Sequence, residues 1–313
     1  MKSRGFLPAL PALILLFVFF LFPVVRMLGF SLESGTLDWY AKALGEQLYL
    51  RVFWNTFEIA LLVTLFCLLL GYPLGFLMAT TTPFWATVGF IFVLLPLWTS
   101  VLVRTYAWMV LLGYPLGFLM ATTTPFWATV GFIFVLLPLW TSVLVRTYAW
   151  MVLLGRNGVF NRTLMEAGII SDPIPLLHNF TGVLIGMVHV LLPYMVLPIY
   201  GAVRKVDPAI PAAAAGLGAS SFAIFRRIYL PLTLNGIFAG SVLVFVLSLG
   251  FFITPALLGG GRVMMIAVLI EQQVREALNW PFAAALSAVL LVFTFAVYAL
   301  AQRFTRTDTE AAR

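Results

Sequence analysis

Residues Asp207 to Pro231 read DPAIPAAAAGLGASSFAIFRRIYLP and lie between two long apolar runs. The first half of this stretch has the signals of a short helix. Asp207 is a preferred N-cap residue and Pro208 suits the first helical position, so a helix is predicted over Ala209–Leu217. Gly218 can adopt the left-handed conformation that commonly ends a helix.

The second half of the stretch predicts another short helix. Ser220 or Ser221 can cap it, and Arg226 and Arg227 mark it as cytoplasmic because basic residues concentrate in cytoplasmic loops. Pro231 then opens the next apolar run. A compact helix–glycine–helix segment with small side chains, placed between two membrane spans, has a shape that suits a groove on another protein.

The composition identifies an integral membrane protein. Hydrophobic residues make up 63% of the chain, charged residues only 9%, and the mean hydropathy is +1.07. A soluble domain carries about 25% charged residues. Long uninterrupted apolar runs indicate helices rather than the alternating strands of a barrel, so the predicted fold class is an all-α, polytopic transmembrane bundle. The net charge of +7 does not indicate a nucleic-acid partner, because most basic residues lie at span ends and in loops.

Apolar length and polar breaks place the spans and their orientation. The loop with Arg204 and Lys205 and the tail with Arg303 carry positive charge and are expected in the cytoplasm. The N-terminus, with Lys2, is expected there too, as an uncleaved first span. The spans are expected at about Phe6–Phe30, Phe57–Ala79, Thr181–Tyr200, Leu232–Leu258 and Pro281–Ala301. After Gly259–Gly261, an extracytoplasmic turn and an interfacial helix are expected.

A perfect tandem repeat occupies the middle of the chain. Residues 71–112 read GYPLGFLMATTTPFWATVGFIFVLLPLWTSVLVRTYAWMVLL, and residues 113–154 repeat them without one difference. Repeats in transporters are usually diverged, so identity indicates a very recent duplication, an engineered one or an error of assembly. Removing one copy leaves 313 − 42 = 271 residues and six spans. The longer chain is expected either to have eight spans, through spans near Phe84–Val103, Tyr106–Thr122 and Phe126–Trp150, or to displace one copy from the core.

The stretch that opens this section resembles a family signature. Permeases of binding-protein-dependent ABC importers carry E-A-A, three residues, Gly, nine residues, then I-x-L-P. The glutamate position here holds Ala212, a departure that puts one polar contact in doubt. In the family this segment is the helix that docks into the cytoplasmic ATPase, so the resemblance implies a coupling loop at residues 207–231. The residues implied in ATPase coupling are Ala212, Ala213, Ala214, Gly218, Ala219, Arg226, Arg227, Ile228, Leu230 and Pro231.

Further segments resemble the spermidine/putrescine-type subgroup of this family. They are PLWTSVLVRTYAWMVLLGRNGVFN, TGVLIGMVHVLLPYMVLPIY and NWPFAAA. The resemblance implies a single permease domain over residues 1–313, with the six-span fold of type I importers, in the bacterial inner membrane. It implies as partners ABC ATPase subunits, a second permease subunit and an extracytoplasmic substrate-binding protein, besides membrane lipid. ATP and Mg would be bound by the ATPase, since this chain has no phosphate-binding P-loop and needs no cofactor of its own.

Four residues are candidates for a substrate path. Glu58 lies near the outer end of the second span, where an acid attracts a cationic substrate or is an ordinary interfacial acid. Trp140, Tyr148 and Trp150 can line a cation path through their π faces, or belong to an interfacial belt. His189, inside an apolar span, is expected to be satisfied by packing or by an interhelical hydrogen bond rather than to couple protons.

Other functions remain open on the residues alone. An importer for a phosphonate, an opine-like compound or iron would share all of these features. An ion-coupled secondary transporter needs paired intramembrane acids or bases, and the chain has few. A membrane-embedded enzyme is disfavoured because no catalytic cluster occurs in the spans. His178 and His189 are not spaced as metal ligands.

Overall fold

The computed structural model describes residues 17–32, 37–82, 86–89, 93 and 142–310. All regular structure in these ranges is helical, in agreement with the predicted class. A π-helical turn, Phe17–Leu21, leads into the first α-helix, and another, Phe225–Tyr229, with the short turn Leu230–Leu232, follows the helix Ser221–Ile224. The helices are α1 Phe22–Phe30, α2 Asp38–Gly45, α3 Gln47–Thr80, α4 Ser142–Leu154, α5 Val159–Glu166, α6 Phe180–Val203, α7 Ala209–Gly216, α8 Ser221–Ile224, α9 Leu234–Leu249, α10 Ile253–Gly259, α11 Ile266–Arg275 and α12 Trp280–Glu310.

Three of the described helices are long and apolar enough to cross a membrane. They are Gln47–Thr80, Phe180–Val203 and Trp280–Leu300. A fourth span is added if Ser221–Leu232 and Leu234–Leu249, bent by 63° at their junction, are taken together. These match four of the predicted spans in position. Of the first predicted span the described part, Phe17–Phe30, is helical, whereas most of the three spans expected in the repeat lies outside the described residues.

The second span starts ten residues earlier than predicted, at Gln47 instead of Phe57. Its first turns carry polar side chains, including Arg51, so apolar length alone did not include them. They remain helical because Tyr49 and Val52 are buried against Phe282 of α12. Burial of one helical face thus extends α3 beyond its apolar stretch.

The predicted span Leu232–Leu258 is wrong as one continuous helix. Helix α9 ends at Leu249, and α10 starts only at Ile253. Gly250, a weak helix former, and Pro255, whose ring would crowd the carbonyl of Phe251 in a continuous helix, both favour a break here. At the other end, the Thr233 hydroxyl donates to the Tyr229 carbonyl at 2.7 Å, where the chain bends into α9.

Helices α3, α6 and α9 form the centre of the bundle, and glycines set their spacing. A Cβ added at Gly75 of α3 would lie 3.1 Å from the Val196 carbonyl oxygen of α6. One added at Gly240 of α9 would lie 3.2 Å from the Met195 carbonyl oxygen. These glycines therefore let helices of this chain pack closely against one another. Gly71 lies against Met195 of α6 and Gly75 lies against Ile199. Residue numbers therefore rise in the same direction along both helices, and α3 and α6 are parallel.

The repeat contributes to the core from both of its copies. The beginning of the first copy, from Gly71, completes α3, where Tyr72 and Met78 are buried. The end of the second copy forms α4, where Leu154 is 2% exposed. The described core thus takes the start and Val93 of the first copy and the end of the second.

Candidate functional site

The loop between α6 and α9 begins with a capped helix. The Asp207 carboxylate accepts a hydrogen bond from the Ala209 N–H at 2.9 Å, as expected of a helix-start residue. Helix α7 then covers Ala209–Gly216, one residue shorter than predicted. Gly218 has φ +83°, so the predicted left-handed residue is confirmed.

The second helix of the loop is also capped as predicted. The Ser220 hydroxyl accepts a hydrogen bond from the Ala223 N–H at 3.3 Å, at the start of α8. The chain continues through the π-helical turn Phe225–Tyr229, which contains Arg226 and Arg227 in exposed positions. The loop therefore consists of two short helices joined at Gly218.

The loop presents large apolar side chains to its surroundings. Leu217 is 90% exposed and Phe222 is 70% exposed, and they lie on either side of Gly218. Ile210 of α7 is 45% exposed. Exposed apolar side chains grouped on one loop are typical of a surface that another protein covers.

An aromatic cluster fixes the other side of the loop to the end of α3. The Phe76 ring centroid lies 5.2 Å from that of Phe225 and 4.9 Å from that of Tyr229, both edge to face. Tyr72 adds a ring contact to Phe225 at 5.6 Å, and its hydroxyl is 3.1 Å from the Thr233 hydroxyl. Because these side chains are closely packed, a displacement of the loop would also displace the end of α3.

Sequence reasoning missed this cluster. A usable signal was present, because Tyr72 and Phe76 are four residues apart, as are Phe225 and Tyr229. Residues four apart lie on one face of a helix. Two such aromatic faces at the ends of neighbouring spans indicate a contact.

The residues implied in ATPase coupling fall into two groups. Some members are exposed, and the others are partly buried. The exposed ones are Ala212, Ala213, Gly218, Arg226, Arg227 and Pro231. The partly buried ones are Ala214, Ala219, Ile228 and Leu230.

The candidate substrate-path residues do not form one cluster in the described part of the chain. Glu58 is exposed and lines a polar cavity of about 450 Å³ with Asn55, His178 and Arg262. Tyr148 is 65% exposed. Trp140 lies outside the described residues.

Trp150 has a different neighbourhood from Glu58. Its indole N–H donates to His189 Nδ1 at 3.1 Å, and its ring stacks on Phe160 at 6.3 Å. The expected interhelical hydrogen bond of His189 is therefore confirmed. Since Nδ1 accepts this bond, the neutral ring carries its proton on Nε2. Trp150 joins α4 to α6 in this arrangement.

Comparison with known proteins gives the family. The spermidine/putrescine transport system permease protein PotB of Haemophilus influenzae is 33% identical over 278 residues, which cover 88% of this chain and 82% of that protein. The protein of that name from Escherichia coli is 31% identical, over 82% of this chain and 78% of that protein. The chain belongs to the permease family of ABC importers. No family model matches it.

More distant relatives and solved structures agree with this permease family. The molybdenum transport system permease protein ModB of Mycobacterium bovis is 32% identical over 46% of this chain and 53% of that protein. A chain in the crystal structure of a bacterial alginate ABC transporter, in complex with alginate pentasaccharide-bound periplasmic protein, has a TM-score of 0.67 at 15% identity. The match covers 98% of this permease and 96% of that chain, which shows a shared fold.

Proposed function

We propose that this chain is the permease subunit of an ATP-driven importer that moves a polyamine, such as putrescine or spermidine, into the cytoplasm. The names of its relatives support the substrate class. A second permease subunit, two ATPase subunits and a substrate-binding protein complete the importer. ATP and Mg belong to the ATPase. The chain crosses the inner membrane several times, with both termini in the cytoplasm.

The coupling loop, residues 207–231, docks into the ATPase in this proposal. The observation that carries it is the pairing of an exposed apolar tip, Leu217 and Phe222, with a rigidly packed base. A partner that binds Leu217 and Phe222 buries apolar surface. When that partner moves, the packed aromatic side chains transmit the movement of the loop to the spans. Neither property is expected of a simple connecting loop, since loops are usually polar and mobile.

The transport step follows from this connection. When the ATPase subunits change shape on binding ATP, the coupling loop moves as a rigid body, as packed elements do in switching proteins. The aromatic cluster transmits the movement to α3. The loop is also joined directly to α9 through the junction bent by 63°, so α9 moves with it. A shift of α3 and α9 against α6 opens the solute path to the opposite side of the membrane.

Glu58 contributes the charge that favours a cation at the entrance to this path. It lies in the polar cavity at the end of the bundle opposite the coupling loop, the side on which a binding protein delivers its solute. Among the described residues it forms no salt bridge, so its carboxylate can attract an ammonium group. Arg262 lines the same cavity, and its positive charge limits how tightly a cation is bound there.

Substitution of Gly218 tests the coupling role. Gly218→Val forces a β-branched residue to φ +83°, at a cost of about 1–2 kcal/mol, and is expected to abolish ATPase activity stimulated by the loaded binding protein. Gly216→Val is the matched control. Both glycines have open space where a Cβ would lie, but only Gly218 has a positive φ. The importer is captured through a tag on this chain and reconstituted into liposomes, where ATP hydrolysis and radiolabelled putrescine uptake are measured.

Comparison of the two variants separates the effect of the backbone conformation at Gly218 from the effect of adding a valine side chain to the loop. Membrane insertion is expected to be normal for both, and Gly216→Val is expected to keep most of the coupled activity. Full putrescine-coupled ATPase activity in Gly218→Val would contradict the coupling role. ATP-driven uptake of a different solute, with no uptake of putrescine or spermidine, would contradict the substrate class alone.

A further inference from the structure

An apolar groove of about 750 Å³ opens on the side of the bundle, away from the cavity of Glu58. Helices α2, α3, α9 and α12 contribute to it. Its walls include Leu50, Trp54, Phe57, Leu249, Leu290 and Phe293. Among the described residues that line it, Arg51 is the only charged one.

Ring contacts between α3 and α12 fix the depth of this groove in the membrane. Trp280, at the start of α12, is 56% exposed and marks the membrane–water boundary, where tryptophan is enriched. The Tyr49 ring contacts that of Phe282, with centroids 4.9 Å apart. The Phe57 ring contacts that of Phe293 farther along both helices, at 6.1 Å.

The groove therefore runs inward from the boundary by the depth of one leaflet. Eight residues of helix separate Tyr49 from Phe57, a rise of about 12 Å. The hydrocarbon of one leaflet is about 15 Å deep, half of the full thickness. An extended acyl chain that enters at the boundary would reach the level of Phe57 and Phe293.

Polar recognition is available only at the mouth of the groove. Arg51 is exposed there, half a turn below the level of Tyr49, and makes no salt bridge within the described ranges. Its long side chain can lift the guanidinium to the headgroup layer. Deeper in the groove, the Thr56 hydroxyl donates to the Val52 carbonyl at 2.7 Å and accepts from the Ile266 N–H at 2.8 Å. Both hydrogen bonds of that hydroxyl are made within the protein, so the inner groove offers a ligand mainly apolar contacts.

We propose that this groove is a binding site for one anionic phospholipid of the leaflet opposite the coupling loop. The phosphate pairs with Arg51, and one acyl chain lies along Trp54, Leu249 and Phe293. A cation above an apolar slot one leaflet deep matches an amphiphile in both charge and length, and guanidinium groups bind phosphate through two parallel hydrogen bonds. A polyamine does not fit, because it is cationic and the groove is apolar.

Trp54 provides the measurement, since it lines the groove and is 64% exposed. The protein is reconstituted into vesicles of equal parts phosphatidylglycerol and phosphatidylcholine, with bromine on the acyl chains of only one of the two. Bromine quenches tryptophan fluorescence on contact, and subtraction of the Trp54→Phe variant isolates the Trp54 signal. Brominated phosphatidylglycerol is expected to quench Trp54 about fivefold more effectively, since one arginine near the membrane surface favours an anionic lipid by about 1 kcal/mol.

Variants of Arg51 decide the outcome. Arg51→Gln is expected to equalise the two lipids while leaving Trp54 quenched, and Arg51→Lys is expected to keep part of the preference. Arg275→Gln is the control, because Arg275 is exposed but outside the groove. Equal quenching in the unsubstituted protein, or a preference that survives Arg51→Gln, would overturn the proposal. Trp54 unquenched by either lipid would also overturn it, in favour of a protein segment in the groove.

Discussion

At the residue scale, the glycines of this chain serve two physical needs. Gly218 needs its conformation, because φ is +83° and the space around it is open. Gly75 needs its small size, because the Val196 carbonyl oxygen lies 3.1 Å from where a Cβ would be. The need of Gly218 was predictable from the sequence, since it follows a run of helix-forming alanines. The neighbour of Gly75 was not, because it depends on how α3 and α6 align.

Trp150 allows a test of which copy of the repeat forms α4, because the equivalent residue of the other copy, Trp108, provides the control. Trp150→Phe removes the hydrogen bond to His189 and is expected to lower the free energy of unfolding by about 0.6–1.5 kcal/mol. Trp108→Phe changes the identical sequence in the first copy. Thermal unfolding in detergent compares the two variants. A loss from Trp108→Phe as large as that from Trp150→Phe would refute the assignment of α4 to the second copy.

Glu58 gives a second residue-scale prediction, which concerns the solute. Glu58→Gln removes the negative charge from the polar cavity and is expected to raise the KM for putrescine about fivefold, equivalent to about 1 kcal/mol of attraction. Glu276→Gln, at an exposed acid outside that cavity, is the control. Uptake rates over a range of putrescine concentrations measure both. An unchanged KM in Glu58→Gln would show that Glu58 is an ordinary interfacial acid.

At the scale of elements, the joint between the coupling loop and α3 is the feature most closely tied to transport. Phe76 packs against Tyr229 with ring centroids 4.9 Å apart. A double-mutant cycle of Phe76→Ala and Tyr229→Ala is expected to give a coupling free energy of about 0.5–1.5 kcal/mol in thermal unfolding. Each single variant is also expected to hydrolyse ATP without matching putrescine uptake. Additive effects in the cycle, with uptake preserved, would exclude the joint as the path of movement.

The elements also show where sequence reasoning succeeds and where it fails. The loop helices were predictable because Asp207, Gly218 and Ser220 act through local backbone chemistry. The break between Leu249 and Ile253 was not predicted, because apolar length placed Leu232–Leu258 in one span that Pro255 was expected only to bend. The early start of α3 depends on burial of Tyr49 against Phe282, which no local pattern reveals.

At the scale of the whole molecule, the repeat makes the core redundant in sequence. Deletion of either copy gives the same 271-residue chain, since 313 − 42 = 271. That chain keeps Gly71 and Gly75 for the contact with α6, and its remaining copy supplies the sequence of α4. Normal membrane insertion and putrescine uptake are therefore expected of the shortened chain. Failure of the shortened chain to insert would mean that the bundle requires both copies.

The central claim, that residues 207–231 dock into an ATPase, has a direct physical test. A photoreactive amino acid replaces Leu217, which is 90% exposed in the coupling loop. The control replaces Leu278, which is 70% exposed on the far side of the bundle. Irradiation of native membranes, followed by mass spectrometry, is predicted to give an adduct with an ABC ATPase from position 217 and none from position 278. An adduct with the ATPase from both positions, or from neither, would contradict the claim.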